Sequence, residues 1–262
     1  MSSVSTSSLQ YVRQGNTGPV LLFVHGFPLS HQQWQSQISE FAKTHQVIAP
    51  DLRGLGTSPL KSGQTKLTTE DHADDLVVLL DNLQVKEPVI LAGLSMGGYI
   101  AWQMVRKYPE RLRALILCNT RVVNDTPEQA AARFQLAEKT LQLRSPQAIL
   151  DVMLPKLLPP VVNPAIVDAV KQMAHQTTPE GLAANLHALA TRPNVTSMLP
   201  AIAIPSLVIS SEFDTISSPA EMGQWAAMMP QARFVSLPGV GHITSMEAPE
   251  HFNKVVRENA PW

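Results

Sequence analysis

Short, uninterrupted apolar runs separated by stretches of helical periodicity organise the first part of the chain. Val20–Val24, Gln46–Ala49, Val89–Ala92 and Leu115–Cys118 read as strands, and Ser30–Phe41, Thr69–Leu83 and Met96–Lys107 between them as helices, the last stopping before Pro109. Strands that are apolar at nearly every position are covered on both faces, so the pattern predicts a parallel sheet flanked by helices.

From Arg121 to about Pro200 the strand pattern stops and only helices are predicted. Several starts share a cap residue followed by proline: Thr126-Pro127, Ser145-Pro146, Asn163-Pro164 and Thr178-Pro179. Proline loses nothing there, because its missing N–H would have no helical acceptor. The βα rhythm resumes with strands Ser206–Ile209 and Arg233–Ser236 and helices Pro219–Met229 and Ala248–Asn259, the former begun by a Ser218-x-x-Glu221 capping box. The expected fold class is α/β, with a core of residues 1–120 and 201–262 and a helical cap, residues 121–200, inserted in it. A cap so placed lies over the carboxyl ends of the strands, where open α/β sheets bind ligands.

The 262 residues suffice for one large domain with a full core. Charged residues make up 16% and the net charge is -1, so neither nucleic acid nor an anionic membrane is an expected partner. No apolar stretch reaches the ~20 residues of a membrane span. Met1–Ser8 lacks the basic and apolar regions of a signal peptide, which makes the cytoplasm the expected location. The single cysteine, Cys118, lies in an apolar run and is expected to be a buried thiol.

Gly93-Leu94-Ser95-Met96-Gly97 fits G-x-S-x-G between a predicted strand and a predicted helix, the context in which a serine is held as a nucleophile on a sharp turn. A serine hydroxyl needs a base, and the base needs an orienting group. Of eight histidines, His242 alone combines a glycine-rich loop with a position after the last strand. His25 ends the first strand and is expected to bond the loop backbone. Asp214 follows a strand and precedes His242, which favours it as the acid over Glu212 and Asp125. The main-chain N–H groups of Phe27 and Met96 are the expected oxyanion donors. Phe27, Trp34 and Met96 are expected to line the substrate pocket. Eight of the thirteen glycines fall in four loops after predicted strands, concentrating permissive backbone at one sheet edge.

His25-Gly26-Phe27-Pro28, Asp51–Ser58, Gly93–Gly97, Asp214 and Gly241-His242, five motifs in order, resemble the α/β-hydrolase fold superfamily. Gly93–Gly98 and Pro109–Thr120 look most like 3-oxoadipate enol-lactonase-type hydrolases and small carboxylesterases. The resemblance implies that the Asp51 segment is a structural turn, with Arg53 bonding backbone. It also implies anionic substrates for a lactonase of this type, for which Arg121 and Arg133 are the candidate cations. Ser211 departs from the glycine often found three residues before the acid. A serine at position 95 argues against haloalkane dehalogenases and epoxide hydrolases, which carry aspartate there.

The sequence thus predicts a serine hydrolase with a Ser95, His242, Asp214 triad. It would cleave a small carboxylic ester or lactone through an acyl-enzyme, with no cofactor and no metal. An amidase or aminopeptidase using the same residues is one alternative, and a slow-turnover ligand-binding receptor the other.

Overall fold

The computed structural model describes residues 9–260; the expectation for Met1–Ser8 lies outside them. Among the described residues one sheet of seven strands has the order β1-β3-β2-β4-β5-β6-β7. Its strands are β1 (Tyr11–Gln14), β2 (Val20–Val24), β3 (Gln46–Pro50), β4 (Val89–Leu94), β5 (Leu112–Cys118), β6 (Ser206–Ser211) and β7 (Ala232–Leu237). Only β1 is antiparallel; it pairs with β3, Tyr11 opposite Pro50. The sequence pattern did not predict it, because Tyr11-Val-Arg-Gln14 is an edge strand with little apolar surface to hide.

Every residue of β2 and β4 is buried. Alternation explains why both faces are apolar: Leu21 and Phe23 join one core cluster, Val20, Leu22 and Val24 the other. The first cluster is closed by α1 (Gln35–Phe41) and α10 (Pro249–Asn259), which contribute Ile38, Phe41, Phe252 and Val256. The second is closed by α2 (Thr69–Asn82), α3 (Met96–Lys107) and α8 (Pro219–Ala226), through Leu76, Leu80, Ile100, Trp102 and Met222. A one-turn helix, α9 (Thr244–Glu247), absent from the predicted pattern, precedes α10.

Four helices stand between β5 and β6: α4 (Pro127–Leu143), α5 (Gln147–Leu157), α6 (Pro164–Gln176) and α7 (Pro179–Ala190). Thr126, Asn163 and Thr178 cap α4, α6 and α7 with their side chains, as predicted. α5 begins one residue late, at Gln147, with Ser145 Oγ accepting from its N–H at 3.2 Å. The predicted box at α8 forms only in half. Ser218 Oγ accepts from the Glu221 N–H at 3.2 Å, but the Glu221 carboxylate turns to Arg121 Nε, 2.8 Å away. An ion pair to a neighbouring element outcompetes the local reach-back.

α7 sits tightly on the core. A side chain at Gly181 would overlap the Gly54 carbonyl, and Asn185 Nδ2 donates to Arg53 O at 3.0 Å. The site is positioned by the sheet order: the chain runs from β2 outward to β3, then back past β2 to β4. Loops leaving β2 and β4 therefore diverge at their carboxyl ends and open a crevice there.

Candidate active site

Ser95 is the single residue between β4 and α3, with φ 55° and ψ −112°. A non-glycine residue with such a φ is strained and persists only where its surroundings over-determine it. Here its N–H donates to Cys118 O at 2.9 Å, and its carbonyl accepts from Gly98 N–H at 2.9 Å and from Thr120 Oγ1 at 2.9 Å. The flanking glycines are required by close approach. A Cβ at Gly93 would lie 2.5 Å from the Gly97 carbonyl, and one at Gly97 would overlap the Val24 carbonyl. The loop after β2 packs against this turn, a Cβ at Gly26 falling 3.4 Å from that of Ser95.

Asp214 and His242 meet directly. His242 Nδ1 lies 2.8 Å from Asp214 Oδ2, and both side chains are fully buried. Asp214 Oδ2 also accepts from Asn119 Nδ2 at 2.9 Å and Ser217 Oγ at 2.5 Å, while Oδ1 accepts from the Ile216 and Ser217 N–H groups. Burial alone would raise the Asp214 pKa. The charge of His242 and the hydrogen bonds from His242, Ser217 and Asn119 outweigh it and hold the carboxyl well below the usual range. With Nδ1 committed to the carboxylate, Nε2 is the free nitrogen of the ring. It is buried and has no hydrogen-bond partner among the described residues, so it does not bond Ser95 Oγ here. A run of hydrogen bonds nonetheless connects the elements. Ser95 is bonded to Cys118 and Thr120, and Asn119 between them bonds Asp214, which holds His242.

The other acids are engaged elsewhere. Glu212 is exposed and accepts from the Gly239 N–H at 2.8 Å. Asp125 is held by Arg133 Nε at 2.6 Å and Arg192 Nη2 at 2.7 Å. His25 bonds the loop backbone as expected: Nδ1 lies 2.8 Å from Gly26 O, and Nε2 accepts from the Leu52 N–H at 3.0 Å. Its burial lowers its pKa, which keeps the ring neutral.

Two expectations are corrected. Trp34 does not line a pocket. It is fully buried under the sheet, stacked on Phe23 with ring centroids 4.8 Å apart and tilted against Phe252 at 5.8 Å. An indole of that size finds more apolar contact inside the aromatic cluster than at a crevice edge. Arg53 bonds side chains rather than backbone, pairing with Asp75 and with Gln64 Oε1 at 3.2 Å. Arg121 and Arg133, the candidate cations, are paired with Glu221 and Asp125. They border a cavity of about 600 Å³ between α4, α5 and the loop carrying Thr215, Ile216 and Ser218.

Several residues escaped the sequence reading. Gln33 Oε1 accepts from the Gly26 N–H at 2.9 Å and its Nε2 reaches Ser245 Oγ at 3.4 Å, linking the β2 loop to α9. Asn119 and Ser217 support the acid. Glu247 accepts from the N–H groups on either side of His242. Each is a polar residue in a predicted loop or helix end, and none carries a signal without its partner's position. Among the described residues no group of three His, Cys, Asp or Glu side chains is placed to hold a metal ion, and no helix is long and apolar enough to cross a membrane.

The sheet order and the strained serine turn facing the β2 loop define an α/β hydrolase. The alpha/beta hydrolase fold family model matches residues 19–249, and the chain belongs to that family. It is 29% identical over 251 residues to 3-oxoadipate enol-lactonase 2 of Acinetobacter baylyi, covering 95% of this chain and 91% of the relative. A malate-bound thermophilic esterase from Thermogutta terrifontis superposes with a TM-score of 0.91 at 40% identity, covering 95% of this chain and 92% of that one. The enol-lactonase of Burkholderia xenovorans LB400 does so with a TM-score of 0.86 at 26% identity, over 95% of both chains. The resemblance to enol-lactonases and small esterases is borne out.

Proposed function

We propose that the protein hydrolyses a small carboxylic ester or lactone through an acyl-enzyme on Ser95, with His242 as general base and Asp214 as its orienting acid. The observation that carries this reading is the state of His242: Nδ1 is tied to Asp214, and Nε2 is a buried, unclaimed acceptor. Such a nitrogen is poised to take a hydroxyl proton. As Ser95 Oγ attacks the substrate carbonyl, its proton passes to Nε2 and the carbonyl oxygen becomes an oxyanion. The Met96 N–H heads α3 and has no intrahelical acceptor, so it is free to stabilise that charge together with the Phe27 N–H. His242 returns the proton to the leaving alkoxide as the tetrahedral intermediate collapses. Water then attacks the acyl-enzyme by the same route and releases the acid. Phe27 and Met96, both in the core cluster under the site, would form the pocket floor. Helices α4–α7 would form its cap, with Leu157 and Leu158 packed in one cluster with Leu29 and Ile243 beside the site. The esterase and enol-lactonase relatives support the choice of ester or lactone.

Fluorophosphonate labelling with peptide mapping tests it, followed by a panel of p-nitrophenyl esters, lactones and aminoacyl anilides. The label is expected on the peptide holding Ser95, with turnover of esters or lactones that Ser95→Ala abolishes. Label on another residue, or full esterase activity in Ser95→Ala, overturns the reading. Preference for the anilides would move it to an amidase, and binding without turnover to a receptor.

A further inference from the structure

We propose that Glu247 is a positioning residue for His242, clamping the main chain on both sides of it; its catalytic consequence rests on the triad reading above. Glu247 Oε2 accepts from the Gly241 N–H at 2.7 Å and Oε1 from the Ile243 N–H at 2.8 Å. One carboxylate therefore bridges the residues before and after the histidine. The N–H of His242 itself donates to Leu157 O at the end of α5, at 3.2 Å. Three successive amides are thus held by fixed acceptors.

Helix α9 makes the clamp possible. A single turn carries the chain from Thr244 to Glu247 and brings the carboxylate back beneath the loop it has just left. The bond from the Ile243 N–H lies at the helix's own N-cap residue. The second bond reaches past the helix to Gly241, on the far side of His242, where capping has no use for it. Position 241 suits the clamp because it has no side chain. A Cβ there would lie 3.2 Å from Glu247 Oε2 and 2.8 Å from Pro159 Cδ. Glu247 also feels the dyad. Burial pushes its carboxyl above the ordinary value; the two N–H groups and the charge of His242 pull it down, and Asp214 pushes it up. Charge-assisted bonds of this kind are stronger than neutral ones and directional, so they fix where the imidazole stands as well as that the loop is ordered.

Glu247→Gln tests the clamp with little change in shape, because an amide can accept from only one of the two N–H groups. Displacement of a catalytic group by a fraction of an ångström to one ångström lowers kcat by about ten- to a hundredfold, with KM nearly unchanged. That is the expected result with the best p-nitrophenyl ester, rates being referred to active sites titrated with fluorophosphonate. Glu247→Asp keeps the charge but is one methylene too short to span both amides, and gives the same split if Glu247→Gln does not fold. The downfield proton resonance of His242 Nδ1–H should shift or broaden in either variant. Unchanged kcat per titrated site overturns the proposal, as does a lowered melting temperature with an unaltered Nδ1–H signal. If Ser95→Ala stays active, the triad reading fails on its own, and the Nδ1–H signal still decides the clamp.

Discussion

Asn119 and Asp214 meet through a 2.9 Å hydrogen bond from Nδ2 to Oδ2, the same carboxylate oxygen that holds His242 Nδ1. Asn119 Nδ2 also donates to Ser211 Oγ at 2.6 Å, and its Oδ1 accepts from Thr244 Oγ1 at 3.1 Å. One amide therefore ties the ends of β5 and β6 to the turn that follows His242. A hydrogen bond to a charged group contributes about 1.5–3 kcal/mol, so Asn119→Ala should lower kcat/KM about ten- to a hundredfold. Asn119→Asp should lower it further, because a like charge against Oδ2 disfavours ionised Asp214. Steady-state kinetics on a p-nitrophenyl ester check this; equal activity in both variants would show that Asp214 stands without Asn119.

Two glycines in helices should respond oppositely to alanine. At Gly97 in α3 the new methyl would overlap the Val24 carbonyl, which is backbone and cannot step aside. The expected loss exceeds about 2 kcal/mol. At Gly223 in α8 the methyl meets only the Phe234 ring, 3.5 Å away, an ordinary contact. Alanine there should add about 0.5–1 kcal/mol through helix propensity and a less mobile unfolded chain. Urea unfolding midpoints at constant m-value report both.

Burial lowers the pKa of His72 to about 4, against 6.5 in an unfolded chain. Its Nε2 lies 2.8 Å from Asn185 Oδ1, and Nδ1 has no partner among the described residues. Above pH 6.5 the ring is neutral in both states and the fold keeps its full stability. Between 6.5 and about 4 the unfolded chain binds a proton that the folded one refuses, so stability falls with pH, by about 3 kcal/mol in all. His25 shifts the same way, so the His72 share is isolated by His72→Gln. That variant should lose less stability between pH 7 and 4.5 than the parent, and equal losses would contradict the assignment.

Asp125 lies buried between Arg133 and Arg192, and the Arg192 guanidinium stands 4.6 Å over the Tyr99 ring. Asp125→Asn would leave a buried guanidinium without its counter-charge, which costs about 3–5 kcal/mol. A melting temperature within a degree or two of the parent would show that the Arg192 charge is compensated another way.

Hydrophobic pattern and turn chemistry, both local, were enough to define six of the seven strands, the helix starts at Thr126, Asn163 and Thr178, and the strand–turn–helix setting of Ser95. A strand buried on both faces must be apolar throughout, and a turn that closes on its neighbours must be glycine, so each leaves its mark on the residues concerned. β1 left no such mark, because its four exposed or half-buried residues, Tyr11-Val-Arg-Gln14, end in two polar ones and form no apolar run. Chain order favoured Asp214 over Glu212 and Asp125, and the fold supplies its contact with His242; tertiary structure alone decided that Glu221 abandons its capping box for Arg121 and that Trp34 joins the core. The same holds for Asn119, Gln33 and Glu247, whose partners stand 95, 212 and 6 or fewer residues away along the chain. A polar side chain acquires its role from whichever donor or acceptor the fold brings within about 3 Å, and that proximity is a property of packing, not of the residue's own position in the sequence.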